Sequence, residues 1–323
     1  MKITASDAAE WLAAHDDYLI LTHRRPDGDA VGSGAALCLG LRSIGKRAAL
    51  YANPQLTPLF EPWTLGLTAG EGAGAGMTVV AVDTSSVGLL PFGAEDLRVD
   101  LCLDHHGSND DFADLTCVRP ECAACCELIY EVLCRMAVTI TPPIAQTLYL
   151  GLCTDTGCFQ YANTTADTFR TAAALLDAGA DAYAISKRMY GTRTMARLRL
   201  EAWLTEHLEL YADGVVGLCA LPNSDAEALG ADEDDLDGIA GFPRGVEGVG
   251  IGVMLREVED GKGKISLRTG TDYDSAAICA HLGGGGHFGA AGATVPGGIP
   301  GAREAILQAI EQETGLKVCR QGS

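Results

Sequence analysis

The sequence is short of basic residues, of aromatic residues and of long apolar runs, and each shortage removes a class of function. Its 323 residues carry 23 Lys and Arg against 43 Asp and Glu, a formal net charge of −20. That balance disfavours electrostatic capture of long duplex nucleic acid, which needs a strongly cationic surface. It leaves room for a short nucleotide held in a local pocket by a few Arg, His and metal ions. Aromatic residues make up only 6%, and with the acidity this argues against the extended basic groove and stacking platform used to bind long single strands. No apolar run reaches the roughly 18 residues that a membrane helix needs. The first residues, MKITASDAAEWLAAHDDYLILTH, are acidic and lack a signal-peptide cleavage pattern. The expectation is a cytoplasmic protein with no membrane partner.

A disulfide framework and a structural zinc site are also missing. The 12 cysteines are not spaced like those of a secreted scaffold, and Cys38, Cys102, Cys153 and Cys219 sit inside apolar runs. Cys122, Cys125 and Cys126 cluster in ECAACCE, but a zinc site needs a second ligand pair at suitable spacing and none follows. The segment reads as the start of an amphipathic helix with Cys as a small apolar filler. The GEGAGAG run at 70–76 precedes an apolar strand. A phosphate-binding glycine loop must instead follow a strand and open a helix, so this run reads as a flexible connection.

What is present is an alternation of apolar strands and helices. Strands are expected at 18–22, 47–52, 77–82 and 99–103, and helices at 7–15, 30–44, 121–136, 142–153 and 166–179. Such alternation indicates an α/β fold with a parallel sheet buried on both faces. A helical, charged stretch follows from 182 to 211. A second domain then begins with a strand at 214–220 and continues through the alternating strands VGIGVMLREV and KISLRTG to a glycine cluster and a terminal helix at 300–314.

Several apolar segments of the first domain end in metal-type ligands. The first strand runs into HRRPDGDAVGS, with His23, Asp27 and Asp29; the third into Asp83; the fourth into Asp104, His105 and His106; and LYLGLCTDTG into Asp155. Ligands of open α/β sheets bind outside the carboxyl ends of the strands, so these residues could share one crevice. Each has an ordinary explanation alone: a turn at Asp27-Gly28-Asp29, a helix cap at DHH, a cap at Asp155. Four such segments in succession make coincidence a poor account. Carboxylates with some imidazole suit Mn²⁺ or Mg²⁺ and suit structural zinc poorly. So many carboxylates would repel one another without bound cations. Two cations about 3.5–4 Å apart can clamp the attacking and leaving oxygens of a phosphoryl displacement.

HRRPDGDAVGS, VDTSS, LDHHG and TDTGCF resemble, in order and type, the four motifs of the DHH phosphoesterase superfamily. ISLRTG and GGGGHFGAAGA resemble the substrate-binding motifs of its DHHA1 C-terminal domain. The pairing is similar to the standalone nanoRNase/pAp-phosphatase group, the NrnA type. The resemblance implies one metal on His23, Asp27 and Asp83 and a second on Asp29, Asp83, His105 and Asp155, with Asp83 bridging. Two Mn²⁺ are expected, with Mg²⁺ or Co²⁺ as substitutes, and a water activated by both as the nucleophile. His106 would contact the scissile phosphate, and Asp104 would orient the His pair. The first motif commonly reads His-x-Asn-Pro-Asp-Gly-Asp, and Arg25 stands here at the Asn position. Asn is not expected to touch metal there, so the change bears on orientation rather than on ligation. Arg24 and Arg25 are candidate phosphate contacts or, equally, a solvated pair.

The same resemblance sets a catalytic metal-binding domain at 1–185, a helical linker at 186–211 and a smaller α/β substrate-binding domain at 212–323, with the active-site cleft between them. Gly283, Gly284, Gly285 and Gly286 could approach a phosphate closely and offer backbone N–H groups. His287 and Arg268 are the charged partners beside them. The expected partners are short RNA or a small phosphorylated nucleotide, in particular short oligoribonucleotides and 3′-phosphoadenosine 5′-phosphate (pAp). Cleavage of cyclic dinucleotides or their linear products is the alternative for the same machinery. A RecJ-like exonuclease, a pyrophosphatase and a non-catalytic nucleotide sensor fit less well. The sequence leaves open the oligomeric state, a homodimer included, and the direction of cleavage.

Overall fold

The structure is a computed structural model, and it describes residues 1–70, 74, 76–236 and 238–320. Most of the GEGAGAG run lies outside the described residues. The chain divides into two compact units, Met1–Thr192 and Arg193–Ser323. The division falls inside the segment 186–211.

The first unit contains α1 (Ala5–Ala14), β1 (Tyr18–Leu21), α2 (Gly28–Ser43), β2 (Ala48–Leu50), β3 (Thr78–Val82), β4 (Leu101–Asp104), β5 (Leu115–Val118), α3 (Cys125–Arg135), α4 (Pro142–Asp155), α5 (Ala166–Asp177) and α6 (Ala182–Ser186). A π-helical turn, Lys187–Gly191, continues α6. The five strands form one parallel sheet in the order β2-β1-β3-β4-β5. YLIL of β1 and LCLD of β4 are buried throughout, as parallel strands covered on both faces must be. One face packs on the helices through Leu12, Ile20, Leu37, Leu103 and Leu148. The other packs on the segment around Leu90, Ala94 and Val99. The chain leaves β1 for β2 on one side and returns to β3 on the other. The topological switch point therefore lies between β1 and β3, where ligands of such sheets bind.

Four of the five strands were expected. β5 was not: LTCV is short and follows a polar stretch, so nothing in its own residues distinguishes it from loop. Its backbone pairs with β4 from Leu101↔Leu115 to Asp104↔Val118, a tertiary cause that local pattern does not carry. Helix α2 is rich in small residues because it lies close against α4. A Cβ at Gly32 would come within 2.4 Å of the Thr147 carbonyl oxygen.

The second unit contains α7 (Met195–Glu206), β6 (Glu209–Tyr211), β7 (Val216–Leu221), α8 (Asn223–Leu229), α9 (Glu233–Leu236), β8 (Ile251–Val258), β9 (Lys262–Thr269), α10 (Ser275–Ala280), β10 (Gly285–His287), β11 (Ala290–Pro296) and α11 (Gly298–Thr314). Its six strands run β10-β11-β9-β8-β7-β6, and only the β7–β8 pair is parallel. Ile265 and Leu267 of β9 pack with Ile306 and Ile310 of α11 on one face, while Met254 of β8 packs with Leu200 and Leu204 of α7 on the other. The stretch 182–211, expected to be helical, is not helical throughout. Thr192 is extended, with φ −127° and ψ 132°, Thr194 caps α7, and residues 209–211 form a strand.

Candidate metal centre

The carboxyl ends of β1, β3 and β4 and the C-terminus of α4 bring His23, Asp83, Asp104, His105, His106 and Asp155 to one place. The N-terminus of α2 adds Asp27 and Asp29. Asp27 is the N-cap of α2, and its side chain accepts from the N–H groups of Asp29 and Ala30 at 3.0 and 3.1 Å. Asp83 ends β3 in the left-handed region, with φ 51°, a conformation that Asp tolerates better than most residues. Its N–H donates to the Leu103 carbonyl at 2.9 Å, which ties it to β4, the strand that the two histidines follow.

One nitrogen or oxygen from each residue comes within 4.8 Å of the others in three sets: His23, Asp27 and Asp83; Asp83, His105 and His106; and Asp29, His105 and Asp155. Asp83 and His105 each belong to two of the sets. His23 Nε2 lies 3.7 Å from both Asp27 Oδ1 and Asp83 Oδ2. His105 Nε2 lies 3.5 Å from Asp83 Oδ1, 3.5 Å from Asp155 Oδ2 and 3.8 Å from Asp29 Oδ2. Such spacings leave room for a cation among the donors.

Electrostatics point the same way. Asp83 is 3% exposed, and its Oδ1 is buried with no hydrogen-bond partner. Burial, and then the charges of Asp29, Asp27, Asp155 and Asp104, push its carboxyl well above the ordinary value of 3.8. Asp155 is pushed up to about 9 by burial and by Asp29 and Asp27. Carboxylates arranged so that they repel, one of them with an unsatisfied buried oxygen, are what a divalent cation would stabilise. The donor set of oxygens and imidazoles fits a hard cation.

The supporting contacts include several that the sequence did not reveal. Asp104 is fully buried. Its Oδ1 accepts from the His106 ring at 2.7 Å and from the His105 N–H at 2.8 Å, and its Oδ2 accepts from Asn109 Nδ2 at 2.7 Å. Burial disfavours a charged His106 ring, but the Asp104 bond prevails and the pKa of His106 is raised. His105 Nδ1 lies 3.2 Å from the Cys122 carbonyl oxygen. A carbonyl only accepts, so that nitrogen carries the proton and Nε2 is the ligand-type atom. Asp29 accepts from the backbone N–H of Cys125 at 2.6 Å and of Cys126 at 3.0 Å, which places its charge at the positive end of α3. Asn163 Nδ2 donates to the carbonyls of Ala123 and Asp155, each at 3.0 Å, and so joins the end of α4 to the approach to α3.

ECAACCE thus serves the site through its backbone, and backbone roles leave no mark on residue type. The thiols of Cys125 and Cys126 are buried, and burial raises both well above the ordinary range, which makes them unreactive. Of the two arginines in the first motif, Arg24 is engaged within the fold. Its Nε donates to the Leu90 carbonyl at 3.3 Å and its guanidinium lies 4.3 Å from the centre of the Phe92 ring. Arg25 is exposed.

In the second unit Arg268 lies on β9 opposite Ala290 of β11, and Ala290 lies opposite His287 of β10. Both candidates therefore share one cross-strand row. Gly283 adopts φ 70°, which only glycine takes without cost. Gly284 and Gly286 lie against β11, where a Cβ would come within 2.2 Å of the Gly292 oxygen and 2.5 Å of the Ala290 oxygen respectively. Gly285 faces open space.

The DHH family, N-terminal domain, matches residues 17–152, and the DHHA1 domain matches residues 223–315. The chain belongs to the DHH family. It is 34% identical over 309 residues to a protein of Thermus thermophilus described as a bifunctional oligoribonuclease and PAP phosphatase NrnA, covering 93% of this chain and 91% of that one. A protein of Bacillus subtilis with the same description is 24% identical over 296 residues, covering 88% and 91%. Among solved structures, an exopolyphosphatase-related protein from Bacteroides fragilis superposes with a TM-score of 0.85 at 25% identity, covering 95% of this chain and 96% of that one. The matched region holds His23, Asp27, Asp29, Asp83, Asp104, His105 and His106, and ends at Leu152, just before Asp155.

Proposed function

We propose that this chain is a metal-dependent hydrolase of phosphate esters that acts on short oligoribonucleotides and on pAp. The observation that carries the reading is Asp83. It ends the strand at the switch point, its Oδ1 is buried without a partner, and it belongs both to the set with His23 and Asp27 and to the set with His105 and His106. In this reading His23, Asp27 and Asp83 hold one cation, and Asp29, Asp83, His105 and Asp155 hold the other. Mn²⁺ is the working ion, with Mg²⁺ or Co²⁺ as substitutes. Bound there, two divalent cations would neutralise phosphate charge and acidify water.

The remaining groups bind and orient. Asp104 holds the His106 ring by Nδ1, so Nε2 is the nitrogen that meets an oxygen of the scissile phosphate. The same bond fixes the orientation of the ring, so that its other nitrogen faces the phosphate. Arg268, His287 and the Gly283–Gly286 segment hold the rest of the nucleotide. The names of the relatives support oligoribonuclease and PAP phosphatase activity and lend nothing to the cyclic-dinucleotide reading. The net charge of −20 favours short substrates over long ones, because few cationic groups oppose repulsion along a strand. The free thiols suit a reducing cytoplasm.

A screen with Mn²⁺ against RNA of two to twenty nucleotides, pAp, cyclic dinucleotides and pyrophosphate tests the reading. Hydrolysis of pAp and of RNA up to about five nucleotides, a cleft-sized length, with a steep fall beyond, is the expected result. Equal rates across the length series, or full activity after chelation, would refute it.

A further inference from the structure

The second unit contains an arginine outside every motif used so far. Arg244 lies in the short turn Pro243–Gly245 and packs on Gly252 of β8. A Cβ at Gly252 would come within 2.6 Å of Arg244 N and 2.8 Å of Arg244 Cβ. Gly252 is paired with Arg268, Arg268 with Ala290, and Ala290 with His287. Directly opposed residues on antiparallel strands point to the same face. Arg244, Arg268 and His287 therefore lie over one face of the sheet, along one row. The Arg244 side chain also passes Gly270, where a Cβ would lie 3.0 Å from Nη2. The absence of side chains at 252 and 270 is what gives this arginine its room.

Nε of Arg244 is buried and has no hydrogen-bond partner. Buried N–H groups nearly always have one, and a guanidinium presents its donors as a fork that matches phosphate oxygens. We propose that Arg244 donates to a phosphate monoester of the substrate beside Arg268 and His287, so that this face of the sheet is a phosphate subsite. The proposal rests on the reading that the second unit holds the nucleotide.

The test is calorimetric binding to the full Mn²⁺-loaded chain of a pAp analogue in which methylene groups replace the phosphoester oxygens, so that it binds without being cleaved. Arg244→Gln should weaken binding about tenfold, the effect of losing one charge-assisted bond. Arg244→Lys should recover only part, because an ammonium cannot reproduce the fork. Gly270→Ala, which crowds Nη2 and leaves the arginine in place, should weaken binding by a smaller factor. The thermal midpoint should stay near that of wild type throughout. Should Arg244→Gln fail to fold, Gly270→Ala and Arg244→Lys decide. Affinities equal to wild type in these variants, or a wild type that does not bind the analogue, would overturn the proposal. A wild type that binds through Arg244 yet hydrolyses no nucleotide would sink the proposed activity and leave this subsite standing.

Discussion

The buried carboxylate of Asp29 accepts a 2.6 Å hydrogen bond from the backbone N–H of Cys125, a residue 96 positions away at the first turn of α3. The contact fixes a proposed metal ligand against a helix N-terminus rather than against another side chain. It holds the oxygen in place and offsets part of its repulsion from Asp83.

The bond can be removed without removing a side-chain ligand. Cys125 is the first residue of α3 and Ala124 before it is extended, with φ −149° and ψ 151°. Proline is compatible with both positions. Cys125→Pro should keep the helix, cost about 1–3 kcal/mol in urea unfolding, and weaken Mn²⁺ binding by roughly 10–100-fold. Unchanged helix content and unchanged metal affinity together would show that the Asp29 contact does not support the site.

Stability of the metal-free protein should fall as pH rises. An ordinary Asp titrates near 3.8, whereas in the folded chain Asp155 is pushed up to about 9 and Asp83 is also raised. Between those values the folded state keeps protons that the unfolded chain has released, so the stabilisation present below about pH 4 is lost progressively toward about pH 9. Bound Mn²⁺ replaces those protons, so its stabilising effect should grow over the same range. Thermal midpoints measured with chelator and with Mn²⁺ check this. A metal-free midpoint that rises from about pH 5 to pH 9 would contradict the assigned repulsion.

Asn109 is a positioning residue by the same logic. It donates to Asp104 Oδ2 at 2.7 Å, opposite the oxygen that holds His106. Asn109→Ala should lower kcat about tenfold, shift the pH profile as His106 loses part of its support from Asp104, and leave metal content unchanged. Asn109→Asp should not rescue it, since a second carboxylate would repel the first. A variant with wild-type kcat and pH profile would remove Asn109 from the account.

Four strands of the parallel sheet were legible because they are near-continuous apolar runs, and the candidate metal-site residues stood out because they follow such runs. His23, Asp83 and Asp155 can be placed at element ends from the sequence with no coordinates. The residues that support them could not be found this way. Cys122, Cys125 and Cys126 act through a carbonyl and two amides, so their side chains suggested only a packed helix start. Asn109 lies just outside LDHHG, in no motif that the sequence offered. The row that aligns Arg244 with Arg268 depends on strand register, and register is a long-range property that neither residue announces.

The most direct test counts metal. Equilibrium dialysis against Mn²⁺ followed by elemental analysis of wild type and Asp83→Ala should give two ions per chain in the first and at most one in the second. Two ions in both proteins would show that Asp83 does not join the sites, and none in wild type would contradict the metal centre itself.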